Sequence, residues 1–139
     1  MQFPKIHFTR EEFECECGCG FNTLDYYLIE MLEGCRTHFQ GIYGKVKVVV
    51  TGGNRCNAHN EEIQKKYVKN YVPFSSNSVH KKAQGADHKV YYFKDGWVQV
   101  DSDEVYDYYD KKYPSSCGLG KYGNRTHCDP RNYKARWVG

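Results

Sequence analysis

Residues 78–90 read SVHKKAQGADHKV, followed by YYFKDGWVQV to residue 100. The first half is polar and loop-like. From Ala86 the residues alternate, so that Asp87, Lys89 and Tyr91 share one face of a strand while Ala86, His88 and Val90 share the other. GADHKVYYF and WVQV, joined by Lys94-Asp95-Gly96, form a β-hairpin, because Asp-Gly supplies the backbone angles of a tight turn. His80 stands seven positions before Asp87, where the loop enters the strand. Two readings follow: a polar turn with an incidental histidine, or two thirds of a metal site whose last ligand lies elsewhere.

Working outward, KVKVVVT at 45–51 reads as a buried strand, and NAHNEEIQKKYVKNY after it as an amphipathic helix capped by Asn57. From Leu24, apolar residues at Tyr27, Leu28, Met31, Leu32, Cys35 and Phe39 make a helical stripe of about four turns. Near the start, TREE pairs Thr9 with Glu12 in a capping-box pattern. SDEVYDYYDKKY forms a further helix that ends before Pro114, and CGLGKYGNRTHCDPRNYKARW supplies one or two short strands with glycine turns. The order implies an α+β fold, one domain over residues 1–139, with an antiparallel sheet and helices mainly on one face.

Length and composition bound the function. A chain of 139 residues buries one core without help from disulfides or metals, so one active centre is expected. The net charge of +3 is small and the charges are interleaved, which gives no argument for nucleic acid. Thirteen tyrosines suit a polar groove as well as a core. The N-terminus MQFPKIHFTREEF lacks the apolar run of a secretory signal, and no stretch is long enough to span a membrane, so a chain made in the cytoplasm and not inserted in membranes is expected. Seven cysteines, an odd number without an export signal, favour reduced thiols. Cys15, Cys17 and Cys19 lack the spacing of a zinc knuckle and read as part of a structural turn. No cysteine is evidently paired with a histidine base, which disfavours a thiol peptidase. His7, His38, His59 and His88 are read as structural.

The residues with metal chemistry are His80, Asp87 and His127. Two imidazoles and one carboxylate match a catalytic zinc site, which keeps its fourth position for a water that the metal acidifies. Spacing alone is a poor signal among six histidines.

The segments TGGNRCNAHN, SVHKKAQGAD and GLGKYGNRTHCDPRNYKARW, in this order, resemble the zinc D-Ala-D-Ala carboxypeptidase family, whose fold is shared with the D,D-dipeptidases and the hedgehog signalling domain. The resemblance runs from FTREEFECECGCG to the terminal ARW. In that family a Ser-x-His segment, an Asp seven residues after the His, and a later His-x-Asp-x-Arg run build the metal centre. The matching positions are Ser78, His80, Asp87, His127, Asp129 and Arg131. The resemblance implies Zn2+ on His80, Asp87 and His127, and an arginine, here Arg55, that contacts substrate and stabilises the oxyanion. Ser78 either bonds a substrate amide or caps the ligand loop.

The chain departs from the pattern in two places. Asn124 stands where some members carry the general base of a Glu-x-x-His motif, and Arg125 where another branch carries a histidine. Alternation in a strand puts the remaining carboxylate, Asp129, on the face of His127, either as the base, or to orient the base, or as support for His127. Gly52 and Asn54 replace the usual Ser and Tyr of the arginine segment.

The resemblance implies a zinc metallopeptidase that cuts next to D-amino acids in peptidoglycan stem peptides, as a D,D-carboxypeptidase or endopeptidase. A phage endolysin, released to the wall by another protein, suits so small a chain. A monomer without nucleic-acid partners is expected. The alternative is a catalytically inactive, zinc-containing binding module for wall peptides.

Overall fold

The computed structural model describes residues 7–13, 25–53 and 85–139. The expected helix at NAHNEEIQKKYVKNY, the turn holding Cys15, Cys17 and Cys19, and the site residues Arg55, Ser78 and His80 lie outside the described residues.

A 3-10 turn at Arg10–Phe13 opens the described chain. Its capping box is half formed: Thr9 N–H donates to the Glu12 carboxylate at 2.7 Å. Helix α1 (Tyr26–Tyr43) starts at Asp25, whose carboxylate accepts the Leu28 N–H, and ends at Gly44, whose positive φ lets its N–H return to the Gln40 carbonyl. The predicted stripe is its buried face, from Leu28 through Met31, Leu32 and Cys35 to Phe39. Only Tyr27 departs, standing on the exposed side.

The sheet has six strands: β1 (Val46–Gly52), β2 (Ala86–Phe93), β3 (Trp97–Gln99), β4 (Gly118–Tyr122), β5 (Arg125–Asp129) and β6 (Ala135–Val138). Their order is β1-β2-β5-β4-β6, and β3 pairs with β2 beyond the end of β5. The predicted β2–β3 hairpin forms, with Asp95 and Gly96 both at positive φ. Pairing is antiparallel except at β6, which runs parallel to β4. The C-terminal segment therefore contributes three strands, and the antiparallel sheet expected from the sequence has one parallel edge.

Between β3 and β4 lies α2 (Ser102–Lys112), capped by Asp101, with Asp103 and Glu104 in its first turn and Lys111 and Lys112 in its last, the signs that suit the helix dipole. Arg136 on β6 ties the sheet edge to this helix, donating to the Asp110 carboxylate and to the carbonyls of Tyr113 and Cys117.

Strand alternation divides the sheet into two faces. Val46, Val48, Ala86, His88, Val90, Leu119, Thr126 and Cys128 are buried, together with Leu28, Leu32 and Phe39 of α1 and Val105 and Tyr109 of α2. Each fully buried aliphatic or aromatic side chain here stabilises the fold by about 1.5–3 kcal/mol before entropy is counted. The opposite face presents Lys47, Lys89, Tyr91, Asp87, Arg125 and His127. This division sets Asp87 and His88, neighbours in sequence, on opposite sides of the sheet.

Candidate metal centre

Strands β2 and β5 place Asp87 directly opposite His127. The His127 Nδ1 lies 2.9 Å from Asp87 Oδ1, and its Nε2 lies 2.8 Å from Asp129 Oδ2. Two residues along β5 return to the same face, which is why Asp129 meets the ring that His127 turns towards it. Both ring nitrogens thus point at carboxylate oxygens. The ring satisfies both as an imidazolium, or with a cation in place of one proton.

The two carboxylates differ in freedom. Asp129 is fully buried, and Arg131 folds back onto it with Nε on Oδ1 at 2.7 Å and Nη2 on Oδ2 at 2.8 Å. Such a two-point guanidinium clamp fixes the carboxylate in direction as well as position. Asp87 is 19 % exposed and faces the Arg125 guanidinium at 3.9 Å. Of the two sides of the imidazole, the Asp87 side is the one a ligand from solvent can reach.

The titration behaviour follows from these contacts. Burial works against a charged His127, yet the hydrogen bonds and charges of Asp129 and Asp87 outweigh it and raise its pKa. Burial likewise opposes an ionised Asp129, but His127 and Arg131 hold its carboxyl far below the ordinary carboxylate range. A carboxylate so held is a weak proton acceptor near neutral pH.

The surrounding residues make room for this arrangement. Gly118 lies opposite Asp129 and Gly120 opposite His127. A Cβ on Gly118 would collide with the Asp129 carboxylate and with Arg131, and one on Gly120 would collide with the Trp137 indole. Freed of side chains there, β4 lets the Asp129–Arg131 pair and Trp137 lie across it. The Trp137 ring stands 5.1 Å from that of His127, and the Arg131 guanidinium stacks over Trp137 at 5.2 Å. Gly52, a departure from the expected motif, sits opposite Asp87, where a Cβ would approach Oδ2 to 3.1 Å. Thr51 lies at the bulge between Val50 and Gly52, and its buried hydroxyl meets no hydrogen-bond partner among the described residues.

Of the residues expected from the sequence, the structure brings together Asp87, His127 and Asp129, with Arg131 behind them. His80, Arg55 and Ser78 are outside the described residues. Among the described residues, no group of three or more His, Cys, Asp or Glu side chains is arranged to hold a metal ion. An imidazole nitrogen beside a carboxylate, with the other nitrogen held by a buried carboxylate, is the donor chemistry of a histidine ligand to zinc, and the described residues suit the metal. His88 points into the core, away from Asp87, as the strand alternation predicts. Asn124 lies in the β4–β5 turn, where its carbonyl accepts from Gln99 Nε2. Cys35, Cys117 and Cys128 are buried free thiols, and burial pushes the pKa of Cys35 up to about 12, which removes it as a nucleophile. A cleft of about 660 Å3, lined by His38 of α1 and by Asp103, Glu104 and Lys111 of α2, includes neither Asp87 nor His127 in its lining.

In the sequence Arg125 stands out only as the residue in the place where another branch of the family carries a histidine. The signal was the alternation that puts residues 125, 127 and 129 on one face. No helix among the described residues is long and apolar enough to cross a membrane.

The comparisons agree with the residue pattern. The family model described as Peptidase M15 matches residues 6–129, which takes in Asp87, His127 and Asp129 and all but the last strand. No curated protein and no solved structure matches the chain. With most of its length matched by that model, the chain belongs to the peptidase M15 family of zinc D-Ala-D-Ala carboxypeptidases.

Proposed function

We propose that the protein is a zinc-dependent peptidase that hydrolyses peptide bonds next to D-amino acids in peptidoglycan stem peptides. The observation that supports this most is the placing of His127 between an accessible carboxylate, Asp87, and a buried one, Asp129, in a chain of this family.

His80, Asp87 and His127 are the residues we assign to hold the metal. When bound, zinc acidifies a water and polarises the scissile carbonyl. The chain's residues do the rest. His127 offers Nδ1 on the Asp87 side while Asp129, clamped by Arg131, holds Nε2 and keeps the ring from turning. Of the roles open to Asp129, we assign support of His127, because both its oxygens are engaged on the side of the ring away from Asp87. Arg55 stabilises the oxyanion, and Ser78 bonds the substrate backbone. Trp137 and Tyr122 wall the site with aromatic surface and limit the water around it.

One observation favours a second reading, a zinc-containing module that binds wall peptides without cutting them. At the described site the carboxylates are Asp87 and Asp129, and both are engaged with His127.

Mass spectrometry of muropeptides separates the readings. Purified peptidoglycan is incubated with zinc-loaded protein, with EDTA-treated protein and with His80→Ala. Loss of one alanine mass marks a carboxypeptidase, and conversion of dimers to monomers marks an endopeptidase of the kind used in phage lysis. Either must require the intact metal site. Unchanged muropeptides from folded protein that holds zinc would overturn the peptidase reading in favour of the binding module.

A further inference from the structure

We infer that Arg125 binds the free C-terminal carboxylate of the substrate peptide and so makes the site selective for chain ends. The inference rests on the peptidase reading for the identity of the ligand, and on the geometry of β5 for the residue.

Arg125, His127 and Asp129 share one face of β5, and the Arg125 side chain is 46 % exposed beside Asp87. Its nearest acidic contact is Asp87 Oδ2 at 3.9 Å from Nε, too long for a hydrogen bond. Among the described residues its other contact is the ring of Tyr122, its cross-strand partner, over which the guanidinium stacks at 5.3 Å. Arg131 is the contrast. That side chain spends Nε and Nη2 on Asp129, whereas among the described residues the donors of Arg125 meet no acceptor of comparable geometry.

The position of Arg125 is also fixed from below. Ser102 Oγ donates to the Gly123 carbonyl at 3.0 Å, Gln99 Nε2 donates to the Asn124 carbonyl, and Thr126 Oγ1 donates to the Ser102 carbonyl at 3.4 Å. These bonds hold the residues on both sides of Arg125. A guanidinium rooted in a braced turn and backed by an aromatic ring loses little freedom when it binds an anion.

The dimensions agree with a terminal carboxylate. Same-face neighbours on a strand are about 7 Å apart, so Arg125 and His127 are spaced by that amount along β5. The scissile carbonyl carbon, which belongs to the penultimate residue, is three bonds, at most about 4 Å, from the carboxylate carbon of the C-terminal residue. A carbonyl held beside Asp87 and His127 therefore leaves the carboxylate within reach of the fork of Arg125, which suits two parallel hydrogen bonds.

The test compares a stem peptide ending in D-alanyl-D-alanine with its C-terminal amide, using the full chain. Two readouts are taken: kcat/KM with zinc-loaded protein, and Kd by calorimetry with EDTA present, where no turnover occurs. The wild type should favour the acid by about 10- to 100-fold in both. Arg125→Gln should bring the acid to the level of the amide and leave the amide unchanged, and Arg125→Lys should keep part of the preference. Survival of the preference in Arg125→Gln, or equal treatment of acid and amide by the wild type, overturns the inference. If neither peptide is cut but an Arg125-dependent preference in Kd remains, the inference stands and the peptidase reading falls. If both are cut equally well, the inference falls and the peptidase reading stands. Should Arg125→Gln fail to fold, Arg125→Lys carries the test: a reduced preference supports the inference, and an unchanged one overturns it.

Discussion

His88 and His127 lie on neighbouring strands, both buried, on opposite faces of one sheet. On the covered face, His88 Nδ1 donates to the Ala86 carbonyl at 3.2 Å, which leaves Nε2 to accept the Tyr109 hydroxyl at 2.8 Å. Tyr109 in turn reaches the thiols of Cys35 and Cys128. Every partner is neutral, and burial drives the pKa of His88 down to about 4. On the other face His127 has the same burial but two carboxylate partners, and its pKa moves up. Burial alone therefore does not mark a functional histidine. The charge of its partners does, because a buried imidazole between two carboxylates favours a cation at the site while one among hydroxyl, thiol and carbonyl groups excludes it.

The sharpest way to break the comparison is to remove the accessible carboxylate. Asp87→Ala should weaken zinc binding by more than about 100-fold, read by competition with a chromophoric chelator, while the fold survives because Asp87 belongs to no part of the core. Wild-type affinity in that variant would mean that the metal, if any, is held elsewhere.

The next effect belongs to His88. Its folded pKa of about 4 lies below the ordinary 6.5, so between those values the unfolded chain binds the proton and the folded one does not. Stability is full above pH 6.5 and falls as the pH drops towards 4, by about 3 kcal/mol. Denaturant titrations of His88→Gln, set against the wild type across this window, should show that component of the slope gone. An unchanged slope would assign the acid sensitivity to other groups.

Much of this was legible in the sequence because it depends on neighbours along the chain. The stripe from Leu28 to Phe39, the Asp95-Gly96 turn and the opposite directions of Asp87 and His88 all follow from local periodicity. So does the shared face of His127 and Asp129. What could not be read is what depends on distant pairing: that β5 lies beside β2 and sets His127 against Asp87, that β6 joins in parallel, and that Arg131 turns back onto Asp129. Gly118 and Gly120 read as turn glycines, whereas in the sheet they are gaps that the site needs. The Tyr109–His88 contact spans 21 residues and has no local signature.

A smaller effect should follow from filling one of those gaps. Gly118→Ala puts a methyl group against Asp129 and Arg131, and loosening of the clamp should cost about 1–3 kcal/mol of stability, measured by thermal melting, together with part of the zinc affinity. A variant with wild-type stability and wild-type zinc affinity would show that the clamp tolerates displacement.

The most direct test of the account concerns Asp129. Asp129→Asn keeps the shape of the side chain but removes the charge that holds His127 Nε2–H. Zinc affinity and turnover per bound zinc are measured on the same preparation. The account predicts zinc binding weakened by about 10- to 100-fold, with the turnover of each zinc-loaded molecule largely kept. Wild-type zinc affinity with turnover abolished would contradict it and make Asp129 the base.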